Sequence, residues 1–497
     1  VFGQSRVLPL ASYFRDQITV SENQYIPVFP VKEHQVNYYT HVKDTIKRYS
    51  SVGHWLYQRE LIVLNQPEGT LWITPILNLS SGKSYSDTAT RIMQNTRGIR
   101  MEGLLGSSFF FSTSFYENQA ILPQYAQDYV LNRGEFYWNS TDSTYSQVNG
   151  VIPGAARTKP FKSNGFDYAY ATGMTDWKFC KKGSVSWGNE RLFVGNGYRS
   201  LFWSDNGVPA MNLRINLQFS SKWNFQVVRM RGLNLLRHAN SVNGEAYYEP
   251  TSLGFASLYF QPNKRLTIGL FEGGKWLRGD SIQKTPVAFS YYIPLPGAAY
   301  LGQQVTGTSY SLLGIDAAFQ LKHAKLYGQL GATPGTSQSE VVQLGVRIKP
   351  FKKAFDFIQF EYNHTGSKAY QATNPRIHYI NYQLPIAHPM GGGVDEFLLR
   401  SNFEWKNWFL NLNLHFYVHQ NGNYQALLPT YQTSNAQLVQ TVNNHQMEIG
   451  YRFNRAYGFE VWGGLGFRST QFQKENTQNT WISFGIRTQL TNHYFDF

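Results

Sequence analysis

Along much of this chain apolar and polar residues alternate one for one. Leu399, Ser401, Phe403 and Trp405 share one parity, and Arg400, Asn402 and Glu404 the other. After Lys406-Asn407 the chain returns with Trp408, Leu410, Leu412, Leu414, Phe416 and Val418 set against Asn411, Asn413, His415, Tyr417 and His419. A period of two marks a strand with two different faces. Each arm runs ~10 residues, enough for a tilted strand to cross a bilayer, whereas strands of soluble sandwiches run nearer ~5–6. The pattern recurs. Residues 213–219 turn at Ser220-Ser221 into 223–227, and 313–321 return near His323 through 326–330. Residues 342–348 turn through Pro350-Phe351-Lys352-Lys353 into 358–362, 447–453 pair with 459–467, and 99–103 turn at Ser107-Ser108 into 109–116.

Between these hairpins lie long connections at 118–160, 233–250, 274–307, 364–394 and 420–443, rich in Asn, Gln, Gly, Ser and Tyr. Short turns at one end and long loops at the other is the arrangement of an outer-membrane barrel, with the long loops outside the cell. The pattern therefore predicts an all-β fold, a transmembrane antiparallel outer-membrane β-barrel. Roughly 16 to 19 strand candidates, and the even strand numbers of single-chain bacterial barrels, make about 18 the first choice and 16 the second. Residues 66–497 form the barrel in this reading. Residues 1–65, with helical candidates near 11–18 and 38–49, form a periplasmic extension or inner plug. The last strand is expected over 481–490; Asn492-His493-Tyr494 breaks the alternation before the aromatic Phe497.

Composition narrows the class. The 497 residues hold 45 Lys+Arg and 31 Asp+Glu, so only 15% are charged, while 16% are aromatic. A disordered chain would show the reverse. A mean hydropathy of −0.38 and the lack of any apolar run of ~18 residues exclude a helical membrane protein. Cys180 stands alone, which leaves no intrachain disulfide framework and no Cys-based zinc site. Val1-Phe2-Gly3-Gln4-Ser5 lacks a basic and apolar leader, and is read as a mature terminus. The net charge of +14 favours anionic partners such as lipopolysaccharide headgroups or acidic glycans. Its basic residues are scattered singly, which speaks against nucleic acid.

Candidate chemistry falls on the polar parity. Arg100, Arg214, Arg347, Arg400, Arg452, Arg468 and Arg487 face inward with Glu102, Asp316, Glu361, Glu404, Glu448 and Glu460. They form either a selective pore lining or a ladder of ion pairs, and the near match of acids to bases favours the ladder. His415 and His419 stand four apart, ~13.6 Å along a strand, too far to share one metal ion. His364 precedes Thr365-Gly366-Ser367, yet nothing in the sequence brings a base to a nucleophile, so no catalytic residue, metal or cofactor is expected. Gly391-Gly392-Gly393 lacks the strand-to-helix setting of a phosphate loop, and Asn139-Ser140-Thr141 fits a glycosylation pattern of low specificity. The stretch from Gly188 to Gly207 departs from simple alternation. Gly195 and Gly197 permit a sharp turn, and Tyr198, Arg199, Trp203 and Asp205 supply stacking and bidentate groups suited to sugars. The same residues would also serve as a bend braced against the wall.

This stretch, with its Gly195-Asn196-Gly197-Tyr198-Arg199-Ser200 and Ser204-Asp205-Asn206, resembles the corresponding region of Wzi-type capsule-assembly outer-membrane proteins. It is similar also to their relatives among Bacteroidetes outer-membrane proteins, one of them associated with gliding motility. Asn95-Thr96-Arg97-Gly98-Ile99, Val151-Ile152-Pro153-Gly154-Ala155 and Gly165-Phe166-Asp167-Tyr168 share the likeness, which is concentrated in residues 95–220. The resemblance implies a non-enzymatic surface barrel with an inner plug that binds, anchors or organises polysaccharide. Its alternative is a structural subunit of an outer-membrane complex for secretion, barrel assembly or gliding; a porin or hydrolase comes third. Expected partners are outer-membrane lipid, lipopolysaccharide, surface polysaccharide and such a complex.

Overall fold

The structure is a computed structural model. It describes residues 6–20, 25–32, 50–57, 60–85, 89–139, 144–237, 248–278, 286–334, 339–350, 356–420, 439–473, 475–490, 492 and 495–497. Among them, 18 antiparallel strands close into a barrel. In chain order these are β1 (Gly69–Tyr85), β2 (Ala89–Leu105), β3 (Phe109–Ile121), β4 (Gly165–Cys180), β5 (Gly183–Glu190) and β6 (Ala210–Gln218). Then come β7 (Trp223–Arg237), β8 (Tyr248–Phe260), β9 (Leu266–Leu277), β10 (Ser309–Gln320), β11 (Ala324–Thr333) and β12 (Ser339–Ile348). The last six are β13 (Phe357–Thr365), β14 (Val394–Trp405), β15 (Trp408–Gln420), β16 (Val439–Asn454), β17 (Phe459–Phe472) and β18 (Glu475–Arg487). Nearly every neighbour in the ring is also a neighbour in sequence, which is what hairpin connections produce.

The ring closes where β18 pairs with β1, from Thr480↔Tyr85 to Arg487↔Asn78. Below that seam Ile62–Gln66 pairs with the start of β1, from Ile62↔Ile73 to Gln66↔Gly69. The alternation leaves the first 65 residues outside the strand series; residues 62–65 nevertheless join the sheet, together with Gln66, because they continue the closing edge. They are too short to show a bilayer-length alternation. The outward parity exposes Trp177, Trp187, Leu270, Leu330, Leu344, Phe397, Trp405 and Phe484. A water-facing wall of this kind would forfeit the gain of burying each apolar side chain, so this belt faces lipid.

The lumen is filled by the chain itself. Helix α1 (Ser12–Val20) occupies the stretch expected to be helical at 11–18; the candidate at 38–49 lies outside the described residues, and α2 (Ser51–Tyr57) and α3 (Gln124–Leu131) follow along the chain. Val28–Phe29 pairs antiparallel with Phe193–Val194. Two apolar clusters seal these pieces to the wall. One joins Val28, Val194, Leu201, Phe202 and Trp203 to Leu253, Phe255, Phe271 and Leu312. The other joins Leu8, Phe14, Phe29 and Phe193 to Ile76, Tyr116 and Tyr457.

The end of the chain corrects an expectation. β18 stops at Arg487, short of the expected 490, and the residues after it turn inward. Phe497 is buried, with its ring 3.6 Å from that of Tyr129, and its carbonyl accepts from Arg468 at 2.7 Å. Asn492 fixes the turn, accepting from Ser12 N at 2.7 Å and donating to Asp205 at 3.1 Å. Phe497 is thus part of the lumen filling and does not complete a wall strand.

Candidate functional site

The stretch between β5 and β6 dips into the lumen, and the wall holds it by its backbone. Glu361 on β13 accepts the N–H groups of Tyr198 at 2.8 Å and Arg199 at 3.1 Å. Gln343 donates to Arg199 O, Gln329 donates to Val194 O, and Gln329 also accepts from Leu201 N. Glycine is required at the point of closest approach. A Cβ on Gly197 would lie 2.6 Å from the Glu361 carboxylate, and Gly195 sits at φ +134°. The resembling segment at 151–155 meets this loop, with Gly154 N donating to Asn206 O at 2.8 Å.

All four residues read as a sugar platform are buried here: Tyr198, Arg199, Trp203 and Asp205. Arg199 forks onto Glu396 of β14 at 2.9 Å and reaches Asp496 at 3.2 Å. Tyr198 donates to the same Asp496. Asp205 accepts from Arg15 of α1 at 3.3 Å and from Asn492. Trp203 packs against Phe255 and Tyr379 inside the first apolar cluster. These side chains tie loop, helix, tail and wall together, because two of the four carry charges that burial obliges to pair. The surroundings shift the titration of Asp496 and Asp16. Burial alone would raise Asp496, but Arg199 and then His415 outweigh it and hold its carboxyl below the usual range. Asp16 of α1 is likewise raised by burial and lowered further by Arg400 and Arg347.

The predicted inward charges also have partners. Arg347 and Arg400 both reach Asp16, at 3.2 and 2.8 Å. Arg452 bridges Glu404 and Glu460, and Arg487 bridges Glu448 and Glu460 at 2.7 and 2.8 Å. Arg214 has a different role, donating to the carbonyls of Pro30 and Val28 and to Gln226. His415 lies 3.3 Å from Glu396, and His419 meets Gly392 O, so the two imidazoles engage different groups. His364 pairs with Asp395 at 2.8 Å on the outward face, whereas the neighbouring Thr365 hydroxyl donates inward to Gly391 O. Glu396, Asp16, Arg15, His388 and Asp496 escaped the sequence reading. Glu396 alone carried a signal, since it shares the parity of Arg400 and Glu404.

Beside this packed core a cavity of about 300 Å³ runs between the tail and the wall formed by β14–β18, β1 and β2. Neutral hydrogen-bonding groups dominate its lining: Asn78, Gln94, Asn402, Asn411, Asn413, Gln446 and Ser483, with the rings of Trp462, Trp481, Tyr125 and Tyr198. Its charged lining residues are Asp16, Glu404, Glu448 and Asp496 with Arg400, Arg452 and Arg487, and each acid is paired with an arginine. Asn78 Oδ1, Gln17 Oε1 and Trp462 Nε1 have no hydrogen-bond partner among the described residues.

Fold and interior define the class, a transmembrane barrel of bacterial outer-membrane type whose lumen is occupied by its own insertions. The fold is Wzi-like. It is similar to that of Wzi, an outer-membrane protein involved in group 1 capsule assembly in Escherichia coli and a carbohydrate-binding β-barrel; the TM-score is 0.55 at 11% identity, over 96% of this chain and 99% of that one. OccAB4 of Acinetobacter baumannii aligns at TM-score 0.44 and 10% identity, over 85% of this chain and 98% of that one. OpdQ of Pseudomonas aeruginosa aligns at 0.45 and 8%, over 84% and 97%. No protein-family model and no curated protein sequence matches the chain.

Proposed function

We propose that this chain is a non-enzymatic outer-membrane barrel that binds and organises surface polysaccharide, in the manner that Wzi's description as a capsule-assembly and carbohydrate-binding barrel indicates for that protein. The observation that carries the reading is the lumenal cavity. Sugars are neutral, hydroxyl-rich and apolar on their C–H faces, and a wall of amides and hydroxyls broken by indole and phenol rings complements both properties. A cavity of this size holds a short saccharide segment. Of the four residues first read as a sugar platform only Tyr198 borders it, so the contact surface moves to Gln446, Asn413, Asn78 and the two tryptophans, with Arg199 and Asp205 holding the tail beside the cavity through Asp496 and Asn492. The filled lumen supports binding over free diffusion.

The test is extraction in mild detergent followed by mass spectrometry of both glycans and proteins, on the wild type and on Gln446→Leu and Trp462→Ala. Retained glycan in the wild type, reduced in both variants with normal heat-modifiable migration, is the expected result. Stoichiometric protein partners with no glycan would replace this reading with a subunit of an outer-membrane complex.

A further inference from the structure

The connection after β9 behaves unlike an extracellular loop. Its described part, 286–307, folds back along the outside of the wall over the long-loop ends of β7–β10, and ends in helix α4 (Ala298–Thr306). On β9 the outward parity runs Ile268, Leu270, Glu272, Gly274, Trp276. Ile268 and Leu270 are exposed to lipid, yet Glu272, two residues further on, is only 3% exposed. The returning segment covers it. The Glu272 carboxylate accepts the N–H groups of Gly297, Ala299 and Tyr300 at 2.7, 3.2 and 2.8 Å, and so caps α4. Arg229 on the outward face of β7 donates to the carbonyls of Tyr291 and Ile293, and Trp276 Nε1 donates to Ser290 at 3.0 Å.

What the segment turns away from the wall is uncharged and largely apolar, with Gln304 and Thr306 the polar exceptions on α4. Phe289 is 78% exposed, Leu295 59%, Leu301 62% and Val305 83%. From Pro286 to Ser309 there is no Asp, Glu, Lys or Arg. Its irregular part carries Pro294 and Pro296, which remove two backbone donors that would otherwise need partners. Arg229 and Glu272 meet further backbone groups from the wall, and turns within the segment meet others, Tyr291 N donating to Ala288 O, Tyr292 N to Phe289 O and Ala298 N to Leu295 O. Hydrocarbon imposes these conditions on any non-strand backbone placed in it, and water does not.

We propose that residues 286–307 form a lipid-embedded strap, in which α4 replaces a charged patch of barrel wall by an apolar surface solvated by the acyl chains of the outer leaflet. The exposed side chains continue the belt formed by Leu270, Ile315 and Leu330 on the adjoining wall, and that continuity identifies the occupant as lipid. The strap's outward face carries no charge with which to engage lipopolysaccharide headgroups, so its contact is with the chains alone.

Site-directed spin labelling tests this in phosphatidylcholine–phosphatidylglycerol vesicles, on a Cys180→Ser background because Cys180 is exposed. Labels at Leu301→Cys and Val305→Cys are compared with Leu330→Cys on the lipid-facing wall and with Lys162→Cys in an exposed turn. High collision with oxygen and low collision with a water-soluble nickel chelate, equal to the Leu330 label, is the expected result. Accessibility to nickel equal to that of the Lys162 label would overturn the proposal by placing the strap in water. Shielding from both reagents would overturn it by placing a protein, such as a second copy, on the strap. Both substituted side chains are exposed, so neither change is expected to disturb folding.

Discussion

The stretch 191–209 lies inside the wall, and 286–307 lies against its outside. The inner one carries Arg191, Arg199 and Asp205, and its backbone is gripped by Glu361, Gln343 and Gln329. The outer one carries no charge, and the wall supplies the charges instead, through Arg229 and Glu272. In both places a buried carboxylate satisfies backbone N–H groups of an irregular segment, because burial obliges each polar group to find a partner. The difference lies in what faces away from the wall. Inside, the loop turns toward more protein and an amide-lined cavity and can afford charge. Outside, it turns toward hydrocarbon and cannot.

The largest expected effect breaks the inner loop. Arg199→Ala leaves Glu396 and Asp496 buried without their guanidinium, at a cost of roughly 3–5 kcal/mol. The temperature at which the heat-modifiable band converts should fall clearly, and an unchanged temperature would mean that the loop is not braced by this residue.

Acid probes the same contacts without mutation. Asp16 and Asp496 are held below the usual carboxylate range by their arginine partners, against burial. A depressed folded-state pKa contributes stability that is complete above the unfolded value of about 4 and is lost as pH falls through the folded one. The thermal transition should therefore hold steady from about pH 7 to about pH 5 and drop below about pH 4. A fall confined to the upper interval would assign the sensitivity to other groups.

Gly197→Ala sharpens the steric side. The new Cβ would stand 2.6 Å from Glu361, and overpacking of this kind costs roughly 1–3 kcal/mol. The smallest effect belongs to the outer segment. Glu272→Ala removes the cap of α4, worth about 0.5–2 kcal/mol. Protease should then cut within 286–307 while the barrel band persists; loss of the whole barrel would show that the strap is not a local unit.

Much of this architecture was legible in alternation, because a membrane wall needs one apolar and one polar face on every strand. The inward Arg400 and Glu404 followed from parity, and two further steps along β14 reach Glu396, the partner of Arg199. Asp16 lies in a short helical candidate and Asp496 in a tail without alternation, and tertiary packing alone brings them to Arg400 and Arg199. The burial of Tyr198 and Trp203 was illegible for the same reason. An aromatic and glycine-rich stretch reads alike whether it turns outward to a sugar or inward to a wall. Glu272 did carry a signal. An acid on the same parity as Ile268 and Leu270 needs a cover, and the uncharged stretch that follows it supplies one.

Planar-bilayer recording of the purified wild-type protein tests most directly whether this barrel binds rather than conducts. With α1, the 191–209 loop and the tail packed in the lumen, the account predicts no large stable conductance steps at any holding voltage that the bilayer tolerates. Large, long-lived steps from the wild type would contradict it and place the protein among the diffusion porins.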